Sequence, residues 1–389
     1  MDVLELPGLD DPVRRDVHEW LESHPRPSGR QLAEAGLVAP HWPKPYGRGA
    51  DAVHQLVIDE ELRSAGVQRP INPIAIGWAG PTILYAGTEE QKQRYLLPLL
   101  AGEEIWCQLF SEPGAGSDLA NLSTRAARDG DDYVVNGQKV WTSLAHYAKF
   151  GILLARTDPD APKHLGISYF ICPMDTPGIE VRPIVEMTGA HTFNEVFFDD
   201  ARIPAANMVG EEGRGWELAK VTLANERVSL SGEGALWGRG PTADDLVDVV
   251  RGGGGVTDPV LRQRLADVWI EGKLLGLIRL RTVMAKLRGE QPGAEASVRK
   301  ALADDHGQHI MNLAKDLSGA SGLLAESGPF GDTSGGWGNG FLFSAALTVG
   351  GGTSEIQRNI IAERVLGLPH DIDVERGKSW AEARGAARV

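Results

Sequence analysis

The sequence predicts an α+β protein in which helices and strands are segregated along the chain. Apolar residues recur at helical spacing over residues 1–103 and again over 213–389, whereas residues 104–212 carry short β-rich runs separated by turn residues. Helices are followed by strands and then by helices, which argues against an alternating parallel sheet. We therefore expect an N-terminal α-helical domain (1–103), a β-barrel or sandwich (104–212) and a C-terminal helical domain (213–389).

Composition limits the class of protein. The chain has 389 residues, 42% apolar and 24% charged, which is typical of a soluble globular protein. No apolar run approaches the ~20 residues of a membrane span, and the acidic N-terminus lacks the features of a signal peptide, so a cytoplasmic protein is expected. A net charge of -14 disfavours nucleic acid and anionic membrane as partners. Cys107 and Cys172 are too few for a disulfide framework and lack metal-site spacing.

The N-terminal domain is predicted to consist mainly of helices. The clearest start is Thr88, a suitable N-cap that is followed three residues later by Gln91. Pro43 and Pro45 block a helix and predict a loop. The predicted helices span approximately residues 10–23, 29–36, 51–65 and 88–101.

The middle domain is predicted from β-rich runs that recur at roughly ten-residue spacing. The run DDYVVNGQKVWTS (131–143) predicts a hairpin whose turn is the Asn136-Gly137 pair. The other predicted strands lie in FGILLART, GISYFICPM, IEVRPI and FNEVFFDDARIP. In the C-terminal domain, helices are predicted over 214–232, 258–287, 292–322 and 353–366, with loops at 252–255 and 327–340.

One stretch, Gln108 to Ala120, suits neither a helix nor a regular strand. Its glycines let the backbone approach a ligand closely, and free amide groups there can bind polar ring atoms or phosphate. Farther along, Trp141 can lie flat against an aromatic ligand while Ser143 donates a hydrogen bond. On pattern alone, the simpler alternative of a β-hairpin domain with a glycine-rich surface loop is favoured.

The identities of the residues in this stretch indicate more than their pattern does. The run Ser-Glu-Pro-Gly-Ala-Gly-Ser-Asp (111–118), with the later Trp-Thr-Ser (141–143), closely resembles the signature of the acyl-CoA dehydrogenase family, which wraps the flavin. The resemblance extends over essentially the whole chain. It implies a helical N-domain, a β middle domain, a C-terminal four-helix bundle and bound FAD. The positions that match flavin contacts are Leu109, Phe110, Ser111, Gly116, Ser117, Trp141, Ser143, Thr353 and Glu355.

The resemblance also implies a reaction, the α,β-dehydrogenation of an acyl thioester. A carboxylate removes the α-proton while the β-hydride passes to the flavin, and burial raises the pKa of that carboxylate toward the working pH. At the position where many straight-chain enzymes keep this Glu, the present chain has Gly351. The second family position is a helical Glu-Arg pair that matches Glu226 and Arg227, so Glu226 is the expected base. Glu355 is the competing carboxylate, and a solvated helix carboxylate is the simpler alternative for Glu226.

Substrate contacts are implied at Ser117, Arg227 and Gly351. Arg227 matches a position that helps hold the pantetheine or nucleotide part of the substrate, and a helix salt bridge is an equal alternative for it. Since Gly351 removes a side chain beside the pocket, a bulky or branched acyl group is expected, such as a steroid side chain. The electron acceptor implied by the family is an electron-transferring flavoprotein.

Two departures from the family bear on assembly. Homotetrameric members often carry Arg-x-x-Phe-Gly before the second bundle helix, where it binds the pyrophosphate of a neighbour's FAD, and the present GGGGVTDPVLRQRLADVW lacks it. Asp316 also stands where a Gln is usual, and a carboxylate repels a pyrophosphate at short range. The chain is therefore expected to form either a homotetramer or an α2β2 heterotetramer with a homologous subunit.

Two rival functions remain open at this point. The first is a flavin oxidase or dehydrogenase of the same fold that acts on a carrier-protein thioester. The reactivity of the reduced enzyme toward oxygen would separate this function from that of an acyl-CoA dehydrogenase. A mainly structural subunit of a heteromeric enzyme is the non-catalytic alternative. No metal site is expected, because His306 and His309 lack the carboxylate or cysteine neighbours of a metal centre.

Overall fold

The computed structural model describes residues 6–229, 234–287, 293–294, 296–324 and 336–386. The chain forms two compact units. The N-terminal unit comprises Met1–Ile184, His191–Asn225 and Val374–Val389, and the C-terminal unit comprises Val185–Ala190 and Glu226–Asp373.

The described part of the N-terminal unit begins with four helices at the predicted places and one that was not predicted. The predicted helices are α1 (Pro12–Ser23), α2 (Gly29–Glu34), α3 (Ala52–Ser64) and α5 (Glu89–Leu100), and the additional helix is α4 (Gly80–Ala86). The capping box at Thr88 is confirmed, since the Gln91 amide donates to the Thr88 hydroxyl over 3.2 Å and the Thr88 amide donates to Gln91 Oε1 over 3.1 Å. These helices bury an apolar core that continues onto one face of the β-sheet.

The predicted β domain is confirmed as a sheet that has eight strands within the described residues. They are β1 (Trp106–Leu109), β2 (Arg125–Asp129), β3 (Asp132–Lys139), β4 (Phe150–Arg156), β5 (Ile167–Pro173), β6 (Ile179–Pro183), β7 (Asn194–Pro204) and β8 (Met208–Val209). The order is β6-β7-β3-β2-β4-β5-β8, with β1 parallel to β4. The central strand β4 is buried along its whole length, which accounts for its apolar run.

The hairpin prediction placed the turn wrongly. Asn136 and Gly137 lie inside β3, and the β2–β3 hairpin turns instead at Gly130-Asp131. Gly137 forms an irregularity in the β3–β7 register, and a Cβ there would lie 2.6 Å from the Thr124 hydroxyl. The Asn136 side chain exchanges two hydrogen bonds of 2.9 Å with Asp200. Pairing with β7 therefore overrides the local turn preference.

The remaining described helices follow the sheet in sequence. They are α6 (Gly215–Ser229), α7 (Ala243–Gly252), α8 (Pro259–Leu287), α9 (Ala296–Ser318), α10 (Trp337–Ser344), α11 (Ser354–Ile360) and α12 (Trp380–Ala386). The core of the C-terminal unit forms around Ile310, Met311 and Ala314 of α9.

The predicted loop over 327–340 is wrong at its end, since Trp337 to Gly340 open α10; residues 327–335 lie outside the described part. Trp337 is buried, and a Cβ on Gly340 would lie 2.6 Å from the Met311 sulfur. Packing against α9 therefore overrides the low helix propensity of the glycines. Among the residues that the structure describes, no helix is both long and apolar enough to cross a membrane.

Candidate active site

The glycine-rich loop reverses immediately after β1. Glu112 and Ala115 exchange two backbone hydrogen bonds of 3.0 Å across Pro113-Gly114. Gly116 and Ser117 follow this turn and are exposed. The loop ends in a 3-10 turn over Leu119–Asn121. Its middle therefore presents accessible backbone and one hydroxyl, while its two ends are fixed.

A buried charge pair fixes the start of this loop, and sequence reasoning missed it. The side chains of Lys139 and Glu112 are 0% and 4% exposed, and their charged atoms lie 2.8 Å apart. Lys139 Nζ also donates to the Phe110 carbonyl over 3.0 Å. The alternation of β3 carries the available signal, because Lys139 stands at an inward-facing position in line with Tyr133 and Val135.

The Glu112 carboxylate is held ionised by several donors. It accepts hydrogen bonds from the Ser123 amide (2.6 Å), the Ser123 hydroxyl (2.9 Å) and the Thr124 amide (2.8 Å) in addition to Lys139. Burial by itself raises the pKa of Glu112, but the Lys139 charge and these hydrogen bonds outweigh it and hold the pKa at about 2. Glu112 is thus a permanent anion that ties the loop to its neighbours, and it is unsuited to act as a base.

The segment after β3 carries the predicted aromatic contact. Trp141 is 60% exposed and has a left-handed backbone with φ 59°. The Val140 amide donates to the Ser111 carbonyl over 2.9 Å, so the Trp141 segment and the glycine-rich loop are joined. Between Trp141 and the half-buried Ser143, the buried hydroxyl of Thr142 has no hydrogen-bond partner within the described residues. A strained backbone and an unsatisfied hydroxyl together are typical of a ligand site.

Leu109 and Phe110 differ from the other predicted contacts in their burial. Leu109 is fully buried in the sheet core, and Phe110 is 3% exposed with its ring edge against Tyr169. These two side chains contribute to packing beneath the loop. Together with Ser111, Gly116, Ser117, Trp141 and Ser143, they lie in the N-terminal unit.

The carboxylate expected to act as the base lies on α6. Glu226 is 8% exposed, which is unusual for a helix glutamate. One turn earlier on the same helix face, the Thr222 hydroxyl lies 2.8 Å from the Thr82 hydroxyl and 3.1 Å from the Tyr169 hydroxyl. The simpler alternative of a solvated Glu226 is therefore wrong. Arg227 is the next residue of α6, and its side chain lies outside the described part.

The turn at Gly351 belongs to the C-terminal unit and depends on its glycines. Gly351 and Gly352 have φ values of 67° and 88°, which other residues rarely adopt. A Cβ on Gly350 would lie 2.4 Å from the Trp237 ring. Lys300, which is 2% exposed, donates to the Gly352 carbonyl (2.8 Å) and the Leu347 carbonyl (3.2 Å). The backbone at Gly351 is thus fixed in a conformation that disfavours a glutamate.

Asp304 completes the buried clamp beneath this turn. Its carboxylate lies 2.5 Å from the Lys300 ammonium, and both side chains are nearly inaccessible to solvent. Burial raises the pKa of Asp304 to about 7, and the Lys300 charge opposes this shift without cancelling it. This pair too was not foreseen from the sequence, where Lys300 and Asp304 resemble an ordinary i,i+4 surface pair.

The residues after the turn open α11. Thr353 is its N-cap, with its hydroxyl accepting from the Ile356 amide over 3.3 Å. Glu355 is exposed, and hydrogen bonds from its own amide and from Thr353 lower its pKa. A carboxyl with a lowered pKa in water is a weak base, which disfavours Glu355 as the alternative to Glu226. Beside it, the buried Ser354 hydroxyl has no partner among the described residues.

The two departures that bear on assembly contact each other. Asp316, which replaces the usual Gln, lies 2.7 Å from the guanidinium of Arg264, a residue of the segment that lacks the Arg-Phe motif. The expectation that His306 and His309 lack a carboxylate neighbour is wrong, because both hydrogen-bond Glu271 of α8, at 3.1 and 3.0 Å. In the described ranges, no group of three or more His, Cys, Asp or Glu side chains is arranged so that it could hold a metal ion.

Comparison with known proteins decides the family. Models of the acyl-CoA dehydrogenase N-terminal, middle and C-terminal domains match residues 9–103, 107–201 and 213–366. The chain belongs to the acyl-CoA dehydrogenase family. The acyl-CoA dehydrogenase FadE34 of Mycobacterium tuberculosis is 43% identical over 95% of this chain, which spans about half (50%) of the length of FadE34. The expected fold and the oxidoreductase family are thereby confirmed.

Solved structures of this acyl-CoA dehydrogenase family add two relatives of similar length. The Tcur3481-Tcur3483 steroid ACAD superposes with a TM-score of 0.77 at 31% identity, covering 95% of this chain and 100% of that one. The ChsE4-ChsE5 complex from Mycobacterium tuberculosis gives a TM-score of 0.76 at 33% identity, again covering 95% and 100%. Both coverages include the N-terminal, middle and C-terminal regions.

The described residues fit a flavin. The exposed Trp141 ring offers a stacking surface, and the Thr142 hydroxyl offers a donor that lacks a partner within the described residues. The accessible backbone of Gly116 and Ser117 can approach polar ring atoms closely. In the C-terminal unit, the Ser354 hydroxyl is a further uncommitted polar group of the described chain.

Proposed function

We propose that this chain catalyses the FAD-dependent α,β-dehydrogenation of an acyl-CoA thioester, with Glu226 as the α-proton base. The observation that carries the proposal is the contrast among the three candidate positions. Glu226 is 8% exposed, Glu355 is exposed with a lowered pKa, and Gly351 has no side chain and a left-handed backbone. Proton abstraction from carbon needs a carboxylate in a dry site. Glu226 is the one of the three that meets this need.

The cofactor would be held mainly by the N-terminal unit. Ser111, Gly116 and Ser117 provide the loop contacts, and Trp141, Thr142 and Ser143 the second wall, while Thr353 and Glu355 match contacts to the far end of the cofactor. When bound, FAD supplies a hydride acceptor for the β-carbon of the substrate. The chain supplies the base, and Ser117 and Arg227 bind the substrate.

We further propose a bulky or branched acyl group, of which a steroid side chain is an example. Gly351 carries no side chain at the position where many straight-chain enzymes keep Glu, and one structural relative is called a steroid ACAD. An electron-transferring flavoprotein is the proposed acceptor, and the chain is proposed to act in the cytoplasm.

A heteromeric assembly is the favoured arrangement. The two regions that depart from the homotetramer pattern are joined by the Asp316–Arg264 ion pair. The Asp316 carboxylate neutralises the Arg264 charge, so Arg264 is not directed at a neighbour's pyrophosphate. The structural relatives ChsE4 and ChsE5 form a complex with each other. We therefore propose an α2β2 heterotetramer with a homologous subunit, and a homotetramer is the alternative.

The test is flavin reduction by substrate. The chain is purified alone and with a co-expressed homologous subunit, and the visible flavin spectrum is recorded anaerobically before and after a steroid-side-chain acyl-CoA or a straight-chain acyl-CoA is added. The proposal predicts bleaching with the bulky substrate, with more flavin per chain in the heteromer. A preparation that carries FAD but is bleached by neither substrate contradicts the dehydrogenase assignment. Stoichiometric FAD in a stable tetramer of this chain alone contradicts the heteromer.

A further inference from the structure

The last described segment of the chain, Val374 to Ala386, packs on the β-sheet unit rather than on the helices that precede it. We call this segment the strap. The Trp380 amide donates to the Ala161 carbonyl over 2.9 Å, and the Ala381 amide donates to the Pro159 carbonyl over 3.0 Å. Both acceptors lie in the connection between β4 and β5. The strap is therefore docked by backbone hydrogen bonds as well as by its side chains.

Trp380 covers a buried arginine. Arg156 is 2% exposed, and its guanidinium carbon lies 4.5 Å from the centre of the Trp380 ring. The Arg156 guanidinium donates to the Ala120 carbonyl over 2.7 Å and to the Leu122 carbonyl over 3.2 Å. Burial lowers the pKa of Arg156 to about 10, so the group remains charged at neutral pH. Arg156 thus connects the Trp380 ring to the 3-10 turn that ends the glycine-rich loop.

Two further contacts connect the strap to the same loop. Trp380 Nε1 donates to the side-chain oxygen of Asn121 over 3.1 Å. Lys163 lies 2.7 Å from Glu375 of the strap and 3.3 Å from Asp118, the residue that follows Ser117. The strap therefore contacts the loop directly at Asn121. It is also connected through Lys163 to Asp118, and through Arg156 to the carbonyls on either side of Asn121.

We propose that Trp380 is a positioning residue that holds the 118–122 turn, and with it Gly116 and Ser117, in the conformation that binds the flavin. The proposal rests on the proposed function for its flavin part only. Without the indole, water reaches the Arg156 guanidinium and competes for its hydrogen bonds to the turn. The turn then opens more often, although the sheet beneath it keeps its own hydrogen bonds.

The experiment combines amide hydrogen exchange with FAD titration for wild type, Trp380→Ala and Trp380→Phe. The Asn121 and Leu122 amides donate within the turn, at 3.0 and 3.1 Å, so their exchange reports its opening. Trp380→Ala is expected to speed exchange at both amides about tenfold and to raise the FAD dissociation constant by a similar factor. Trp380→Phe keeps an aromatic face over Arg156 and is expected to recover most of both effects. Lys378→Ala, an exposed change in the strap, is the control and should change neither.

The outcomes distinguish a failure of the proposal for Trp380 from a failure of the proposed flavin-dependent function. Unchanged exchange at Asn121 and Leu122 in Trp380→Ala contradicts the proposal, and so does faster exchange without any loss of FAD affinity. If Trp380→Ala does not fold, Trp380→Phe decides, because it lacks the donor to Asn121 and should show a smaller change in the same direction. If wild type binds no FAD, alone or with its partner, the proposed function fails while the exchange comparison still tests the strap.

Discussion

The N-terminal unit buries Lys139 against Glu112, and the C-terminal unit buries Lys300 against Asp304. Each lysine also donates to backbone carbonyls of a motif loop: Lys139 to Phe110, and Lys300 to Leu347 and Gly352. Yet the two carboxylates behave in opposite ways, since the pKa of Glu112 is lowered to about 2 and that of Asp304 is raised to about 7.

The number of donors accounts for the difference. The Glu112 carboxylate accepts hydrogen bonds from two amides, a hydroxyl and an ammonium. The Asp304 carboxylate accepts from the Lys300 ammonium, and the nearby charge of Asp305 raises its pKa further. Burial alone therefore does not set the charge of an acid; the hydrogen bonds that replace water do. The pair under the glycine-rich loop is a permanent ion pair, and the pair under the Gly351 turn can lose its charge near neutral pH.

The largest expected effect comes from Lys139→Met. This change leaves the Glu112 anion buried without its counter-charge, and we expect a loss of about 3–5 kcal/mol in the free energy of unfolding, measured in urea. Lys92→Met is the control, because its pair with Glu89 is exposed on the acid side and contributes little. A Lys139→Met protein as stable as wild type would show that the pair does not fix the loop.

Lys300→Met is expected to cost less, about 2–3 kcal/mol at neutral pH, because Asp304 can take up a proton once its partner is gone. The cost should shrink as the pH is lowered below 7, whereas the cost of Lys139→Met should not change over the same range. Urea unfolding of both variants at two pH values checks this. Equal pH dependence in the two variants would remove the distinction between the pairs.

The pH dependence of stability gives an independent test. The folded pKa of Asp304, about 7, lies above its ordinary value of 3.8, so its contribution is fully present below that value and is lost as the pH rises through 7. The folded pKa of Glu112, about 2, lies below its ordinary value of 4.5. The contribution of Glu112 to stability is therefore fully present above pH 4.5 and is lost as the pH falls toward 2. As the pH rises from about 5 to about 8, the free energy of unfolding of Asp304→Asn should increase by about 2 kcal/mol relative to that of wild type. A constant difference would contradict the raised pKa.

The smallest expected effect comes from Ser123→Ala, which removes one of the donors to Glu112 and should cost about 1 kcal/mol. It should also move the acid-induced loss of stability to a slightly higher pH, as seen in a series of thermal melts. No shift in that midpoint would mean that the Ser123 hydroxyl does not contribute to holding Glu112 ionised.

A structural feature could be predicted from the sequence when the interactions that determine it lie within a few residues of one another. The Thr88–Gln91 cap was predictable because a four-residue segment contains both of its hydrogen bonds. The Asn136-Gly137 turn failed because pairing with β7, more than sixty residues away, decided the local conformation. The motif residues were found by resemblance.

The residues that hold the motifs were not predictable from the sequence. Lys139 and Glu112 are 27 positions apart, and Trp380 and Asn121 are 259 apart. Each of these contacts exists only once the sheet has formed. A local pattern such as the alternation of β3 can indicate that Lys139 faces inward, but it does not identify the partner of Lys139.

The most direct test of the account is the rate of anaerobic flavin reduction by a bulky acyl-CoA, measured by stopped flow in wild type, Glu226→Gln and Glu355→Gln. If Glu226 is the base, Glu226→Gln binds FAD normally but reduces it about a thousandfold more slowly, whereas Glu355→Gln stays close to wild type. Flavin reduction at the wild-type rate in Glu226→Gln would contradict the account.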